Sequence, residues 1–113
     1  MAIIYKIFRA EEHAAFLDAG ETLGAPIDVK DGYVHMSTRD QVEETVAKHF
    51  YGEQGLKLLG LESEELGDAL KWEPSRGGAL FPHLYRPLKL TDVRFTHDLP
   101  LVNGVHQFEG LWE

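Results

Sequence analysis

Asp31-Gly32-Tyr33-Val34-His35-Met36-Ser37-Thr38-Arg39-Asp40-Gln41 is the stretch on which the fold turns. Asp31-Gly32 is a turn pair, because glycine tolerates the positive φ that a tight reversal needs. Tyr33 to Ser37 then alternates as a strand does, with Tyr33, His35 and Ser37 on one face and Val34 and Met36 on the other. A capping box follows at once. Thr38 can accept from the backbone N–H of Gln41, and the Gln41 side chain can reach back to the Thr38 N–H. A strand that sets an imidazole beside a hydroxyl and runs straight into a helix collects polar groups where backbone N–H donors point outward. Such a corner suits a small anion or a nucleotide.

Upstream, Ile3 to Phe8 is apolar on both faces, Ile3, Tyr5 and Ile7 against Ile4, Lys6 and Phe8, which predicts a central strand. A short helix is expected over Glu11–Ala19, with His13, Phe16, Leu17 and Gly20 at helical spacing, glutamates in its first turn and Gly20 at its stop. Leu23–Ile27 reads as a connection. Downstream, Arg39 to about Phe50 carries the clearest helical pattern, with Val42, Thr45, Val46, His49 and Phe50 inward and Glu43, Glu44 and Lys48 outward. Leu56–Leu61 predicts a buried strand, Ser63–Gly67 one capped helical turn, and Ala69–Glu73 a further strand. Pro74-Ser75-Arg76-Gly77-Gly78 is the only flexible-loop signal. Phe81–Tyr85, bracketed by Pro82 and Pro87, predicts an edge or irregular strand that places Phe81, His83 and Tyr85 together. Val93–Thr96 predicts another strand, and Asn103-Gly104 a type I′ hairpin joining Leu99–Val102 to Val105–Phe108. Strands outnumber helices, and both predicted helices lie in the N-terminal half. The expected class is α+β, one domain over residues 1–113 with a strongly bent, mainly antiparallel sheet.

The 113 residues suffice for one ordinary core and not for two. With 43% hydrophobic and 27% charged residues, the composition is that of a folded globular chain. Its 19 acidic and 11 basic residues leave a net charge of −8, so non-specific nucleic-acid binding is not expected. The absence of cysteine excludes disulfides, thiolate metal sites and thiol nucleophiles. Met1–Lys6 is too short for a signal peptide, and no apolar run of about 18 residues occurs. The expected location is the cytosol, with no membrane contact.

Two constellations can carry chemistry. In the first, His35 with Ser37 can bond a ribose hydroxyl, serve as a general base or ligate a metal. The bland alternative is a half-exposed sheet histidine beside Tyr33. The second lies between Trp72 and Tyr85, where Glu73, Arg76, His83 and Tyr85 surround a glycine hinge. Arg76 can clamp a phosphate or carboxylate, Glu73 can act as acid or base or bind a ribose, and Tyr85 can stack on a ring. Each also has a plain structural reading as a solvated loop charge, a cross-strand partner or edge-strand filler. A local cluster of Arg76, His35 and His83 can be positive despite the net charge. His13, His97 and His106 read as surface residues, and His49 as a helix C-terminal cation. A metal set of His35, His83, Glu73 and His49 lacks any HxH or HExxH spacing, so no metal is expected. A Ser37–His83 nucleophile pair lacks the G-x-S-x-G elbow.

Ile4-Tyr5-Lys6-Ile7, Asp31–Thr38 with Gln41, Leu70-Lys71-Trp72-Glu73 and Phe81-Pro82-His83-Leu84-Tyr85 with Pro87 resemble, in order and over nearly the whole chain, the blocks of a small bacterial family. It is domain-of-unknown-function family 952. That family is in turn distantly similar to the ADP-ribosyltransferase-like superfamily, notably its RNA 2′-phosphotransferase branch with a comparable Val-His-Leu-Ser strand. The resemblance implies a split β-sandwich whose cleft takes NAD or another phosphorylated nucleotide. It implies a transferase of the ADP-ribosyl or 2′-phospho type, the alternative being a non-catalytic nucleotide-binding or protein-interaction module. By it His35 contacts a ribose or phosphate and Ser37 lies on the adjoining strand; Thr38, Arg76 and Tyr85 are the further ligand contacts expected from the residues themselves. Where the superfamily's first strand supplies histidine or arginine, this chain has Lys6. Glu73, with His83 and His35 as catalytic partners, and Glu109 are the candidates for the closing glutamate.

Overall fold

The computed structural model describes residues 2–75 and 77–112. In chain order the elements are β1 (Ile3–Phe8), α1 (Ala10–Ala19), β2 (Glu21–Thr22), α2 (Pro26–Asp31), β3 (Val34–His35), β4 (Ser37–Thr38) and α3 (Arg39–His49). Then come β5 (Lys57–Glu62), a 3₁₀ segment (Ser63–Ala69), β6 (Leu70–Ser75), β7 (Ala79–Leu84), β8 (Leu88–Lys89), a 3₁₀ turn (Leu90–Asp92), β9 (Val93–Asp98), β10 (Leu101–Val102) and β11 (Val105–His106). The class is α+β, with antiparallel pairing throughout the described strands.

Two sheets build the body, one ordered β4-β1-β5-β9 and the other β3-β7-β6. β1 is central as expected. β5 pairs along its whole length, whereas β4 meets only Ile4 and Tyr5. The strand expected over Tyr33–Ser37 is real but divided at Met36. Val34 and His35 pair with Leu84 and His83 in the smaller sheet, and Ser37 and Thr38 pair with Tyr5 and Ile4 in the larger. Pro82 sits at the division. The Met36 N–H donates to the Pro82 carbonyl over 3.0 Å, but proline has no N–H to return. The ladder therefore ends there and the chain crosses to the other sheet.

The two apolar faces of β1 now have separate uses. Ile4 and Phe8 join Leu59, Leu61, Val34, Met36 and Leu84 in a core between the sheets. Tyr5 and Ile7 pack with Leu58, Leu99, Phe108 and the inner stripe of α3, Val42 and Val46. Lys6 shares the side of Ile4 and Phe8 by alternation, and so is a lysine aimed into the inter-sheet core.

Several expectations change. Among the described residues three helices lie in the N-terminal half, because Pro26–Asp31, read partly as a connection, is a helical turn and a half with proline at its start. Gly32, at φ +88°, closes that helix rather than a hairpin. Phe81–Tyr85 is not at an edge, since β7 is the middle strand of its sheet and the missing Pro82 donor coincides with the strand division. Pro74 and Ser75 belong to β6, and the glycine loop is the tip of the β6–β7 hairpin, with the Gly78 N–H on the Ser75 carbonyl at 3.2 Å. Asn103 and Gly104, at φ +51° and +79°, make the expected I′ turn. Among the described residues no helix is long and apolar enough to cross a membrane.

Candidate functional site

Where β4 stops covering β1 and β3 turns away, a hollow of about 520 Å³ opens. Its walls are Tyr5, Lys6 and Ile7 from β1, His35, Met36 and Ser37 from the divided strand, and Pro26, Ile27 and Asp28 from α2. Thr45 and His49 of α3 and Phe50 just past its end close it, with Arg9, Glu12 and Ser75 also on the wall.

Asp28 is the hub. Its carboxylate is wholly buried and accepts four hydrogen bonds, from the Ala25 N–H (2.8 Å), Lys6 Nζ (2.6 Å), the His35 N–H (3.0 Å) and His35 Nδ1 (2.5 Å). Burial alone raises a carboxyl pKa, but the His35 and Lys6 bonds outweigh it and hold Asp28 below its ordinary value. Lys6 is drawn below its ordinary value by burial, against the pull of Asp28. The Lys6 ammonium also donates to the His35 carbonyl at 2.9 Å, so one lysine pins β3 across the gap that forms the hollow. Gly24 makes room for this hub. A Cβ there would lie 2.2 Å from Asp28 Oδ2.

His35 is 28% exposed, and its Nε2 faces the exposed Asp31 carboxylate at 3.0 Å. The imidazole thus stands between a buried carboxylate and an exposed one that a ligand acceptor can replace. Ser37 is buried and within 3.1 Å of the Thr45 hydroxyl, which puts a hydroxyl pair on the wall.

A second cluster adjoins the first through the β3–β7 register, which sets His35 opposite His83 with ring centroids 5.5 Å apart. Tyr33 stacks on His83 at 4.2 Å and leans on His35 and Tyr85. Glu73 Oε1 takes both His83 Nδ1 (2.8 Å) and the Tyr85 hydroxyl (2.6 Å). Those bonds, the Tyr85 one foremost, keep Glu73 below its ordinary pKa, and the Tyr85 phenol is pushed up to about 12.

The residues singled out from sequence divide as follows. His35 and Ser37 line the hollow. His83, Glu73 and Tyr85 join His35 through Tyr33 but are not on its wall; Tyr85 borders a separate hollow of about 270 Å³ with Tyr33, Leu84 and Arg86. Thr38 caps α3, its N–H donating to Gln41 Oε1 at 3.0 Å. Arg76 lies outside the described residues. Glu109 is exposed in the C-terminal turn. Ser37 and His83 form no nucleophile pair, because one faces Thr45 and the other Glu73. Among the described residues no group of three or more His, Asp and Glu side chains is placed to hold a metal. His106 is not a plain surface residue, since its Nε2 meets the Glu53 carbonyl at 2.8 Å. Sequence reading missed Asp28, Arg9 and Glu12. For Asp28 a signal existed, proline at N1 and an acid at N3 with glycine at C′.

A family model described as "Protein of unknown function (DUF952)" matches residues 7–96. The chain is similar to the crystal structure of protein CC0527 from Caulobacter crescentus, with 48% identity over 94% of each chain and a TM-score of 0.90. It is likewise similar to the solution NMR structure of CC0527, with 48% identity over 96% of this chain and 94% of that one and a TM-score of 0.86. No curated protein matches it.

Proposed function

The chain belongs to the DUF952 family of proteins of unknown function, and from that premise we propose that its inter-sheet hollow binds a nucleotide of the NAD type. One observation carries the reading: a roughly 520 Å³ hollow at the strand division presents His35, Ser37, Thr45 and His49 over Ile7, Ile27, Met36 and Phe50. That size and that mixture of apolar wall with few polar groups are typical of small-ligand sites, which run from about 300 to 1,000 Å³. The distant likeness to ADP-ribosyltransferase-like proteins supplies the expectation of an NAD-type ligand. In this reading His35, fixed by Asp28, bonds a ribose hydroxyl or phosphate oxygen in place of Asp31. Binding is favoured over transfer, because neither Glu73 nor Glu109 is on the wall. The carboxylates that are, Asp28 and Glu12, are engaged by Lys6, His35 and Arg9.

Thermal-shift and calorimetric titrations with NAD and ADP-ribose test the reading. A ligand at about 100 times its Kd adds about 2.7 kcal/mol of stability and a clear rise in Tm. His35→Ala is expected to weaken binding at least about tenfold while costing under about 2 kcal/mol of stability. No shift with either compound at about 1 mM would sink the proposal.

A further inference from the structure

Taking the hollow as a nucleotide site, we propose that it admits the nucleoside part of the ligand, uncharged or cationic, and leaves phosphate groups outside. The charges on its wall carry the argument. Its described side chains of fixed charge are Lys6, Arg9, Glu12 and Asp28, so cations do not exceed carboxylates. Neither cation is available to an anion. Lys6 is 6% exposed and gives its ammonium to Asp28 and the His35 carbonyl. Arg9 is held as a fork by Glu53, Nε on Oε1 at 2.8 Å and Nη2 on Oε2 at 3.0 Å. Its Nη1 faces Glu12 Oε2 at 3.4 Å, and its plane lies over the Phe50 ring at 4.7 Å.

An entering phosphate would have to displace a carboxylate from a bidentate pair, and would then stand beside Glu12 and Asp28 with like charge. A nucleoside meets no such cost. Ser37, Thr45 and His35 can exchange hydrogen bonds with ribose hydroxyls, and the wall carries the Phe50 ring and the Arg9 guanidinium, groups of the kind on which a base stacks. The ligand class is thus nucleosides, or the nucleoside end of a dinucleotide.

The test is calorimetry on the whole protein at about pH 8, above the ordinary histidine range. The probes are nicotinamide riboside, its 5′-monophosphate, adenosine, AMP and inorganic phosphate. Each nucleoside is expected to bind at least as tightly as its monophosphate, with a Kd indifferent to salt between about 0.05 and 0.5 M, and inorganic phosphate is expected not to bind. Glu53→Gln, which releases the Arg9 fork, is expected to tighten monophosphate binding about tenfold relative to the matching nucleoside. Monophosphates binding about tenfold more tightly than nucleosides in the unmodified protein, with salt-sensitive affinity, would overturn this inference while leaving the nucleotide site standing. Failure of the Glu53→Gln variant to gain monophosphate affinity would overturn its electrostatic basis. No binding of any probe would overturn both readings.

Discussion

Replacing Asp28 with asparagine keeps the shape of the side chain while removing its charge and one of its acceptor atoms. The carboxylate serves four donors at once: two backbone N–H groups, an ammonium and an imidazole. An amide can turn only its oxygen to one pair. Its NH2 then meets either Lys6 and Ala25 or the two His35 donors, and donor faces donor. Lys6 is left buried with no counter-charge, a situation that costs about 3–5 kcal/mol. Against a total stability of about 5–15 kcal/mol for a domain, that is a severe loss. Urea unfolding followed by circular dichroism measures it. Lys6→Met alone is expected to cost a similar amount. The double variant Lys6→Met/Asp28→Leu removes both charges and takes these partners from the Ala25 and His35 N–H groups, the His35 ring and the His35 carbonyl. It should lose at least about 1.5 kcal/mol less than the sum of Lys6→Met and Asp28→Leu. Asp28→Asn costing under about 1 kcal/mol, or strictly additive Lys6 and Asp28 effects, would refute the claim that these residues form one buried unit. The same logic fixes a pH dependence. Asp28 is held below its unfolded pKa, so its contribution is complete above about pH 4 and is lost as pH falls through the lowered folded value; the unmodified protein should destabilise more steeply there than Asp28→Asn.

Gly24→Ala should cost about 2–4 kcal/mol by urea unfolding, since its Cβ would sit 2.2 Å from Asp28 Oδ2 and its φ is +100°; a neutral substitution would mean the hub does not need that space. Gly60→Ala should cost about 1–3 kcal/mol, because the Phe95 ring lies 2.1 Å from the new methyl. Truncating Phe95 as well should recover part of that loss, and a double variant no better than the sum would argue against direct contact. Ultraviolet titration should find one phenol near 12, returning toward the ordinary range in Glu73→Gln; an unchanged high-pH phenol would show that Glu73 is not the cause. Because the folded Tyr85 pKa is the higher one, its contribution is whole below about pH 10 and fades as pH rises through the folded value.

Much of the fold was legible because period and punctuation agreed locally. Ile3–Phe8 is apolar on both faces and became a central strand, Val42 and Val46 mark the buried face of α3, and Asn103-Gly104 chose its turn. α2 was not legible. Ile27 and Val29 are over half exposed, so the helix has no apolar stripe, and six residues are too few to show one. The alternation in Tyr33–Ser37 located the strand but carried no sign of its division, which depends on Pro82 nearly fifty residues downstream. The site was legible to the same extent. His35 and Ser37 stood out by type and spacing, whereas Lys6 and Asp28 meet only because β1 and α2 face each other across the inter-sheet core. Glu73, His83 and Tyr85 were rightly grouped, yet cross-strand register turns that group toward Tyr33 rather than the hollow.

The most direct test follows the imidazole resonances of the six histidines by NMR while NAD is added. The account predicts that His35 and His49, which share the wall of the hollow, shift together and saturate with one Kd, while His97 stays in place. Shifts confined to His13, His97 and His106, or no shift at all, would contradict it.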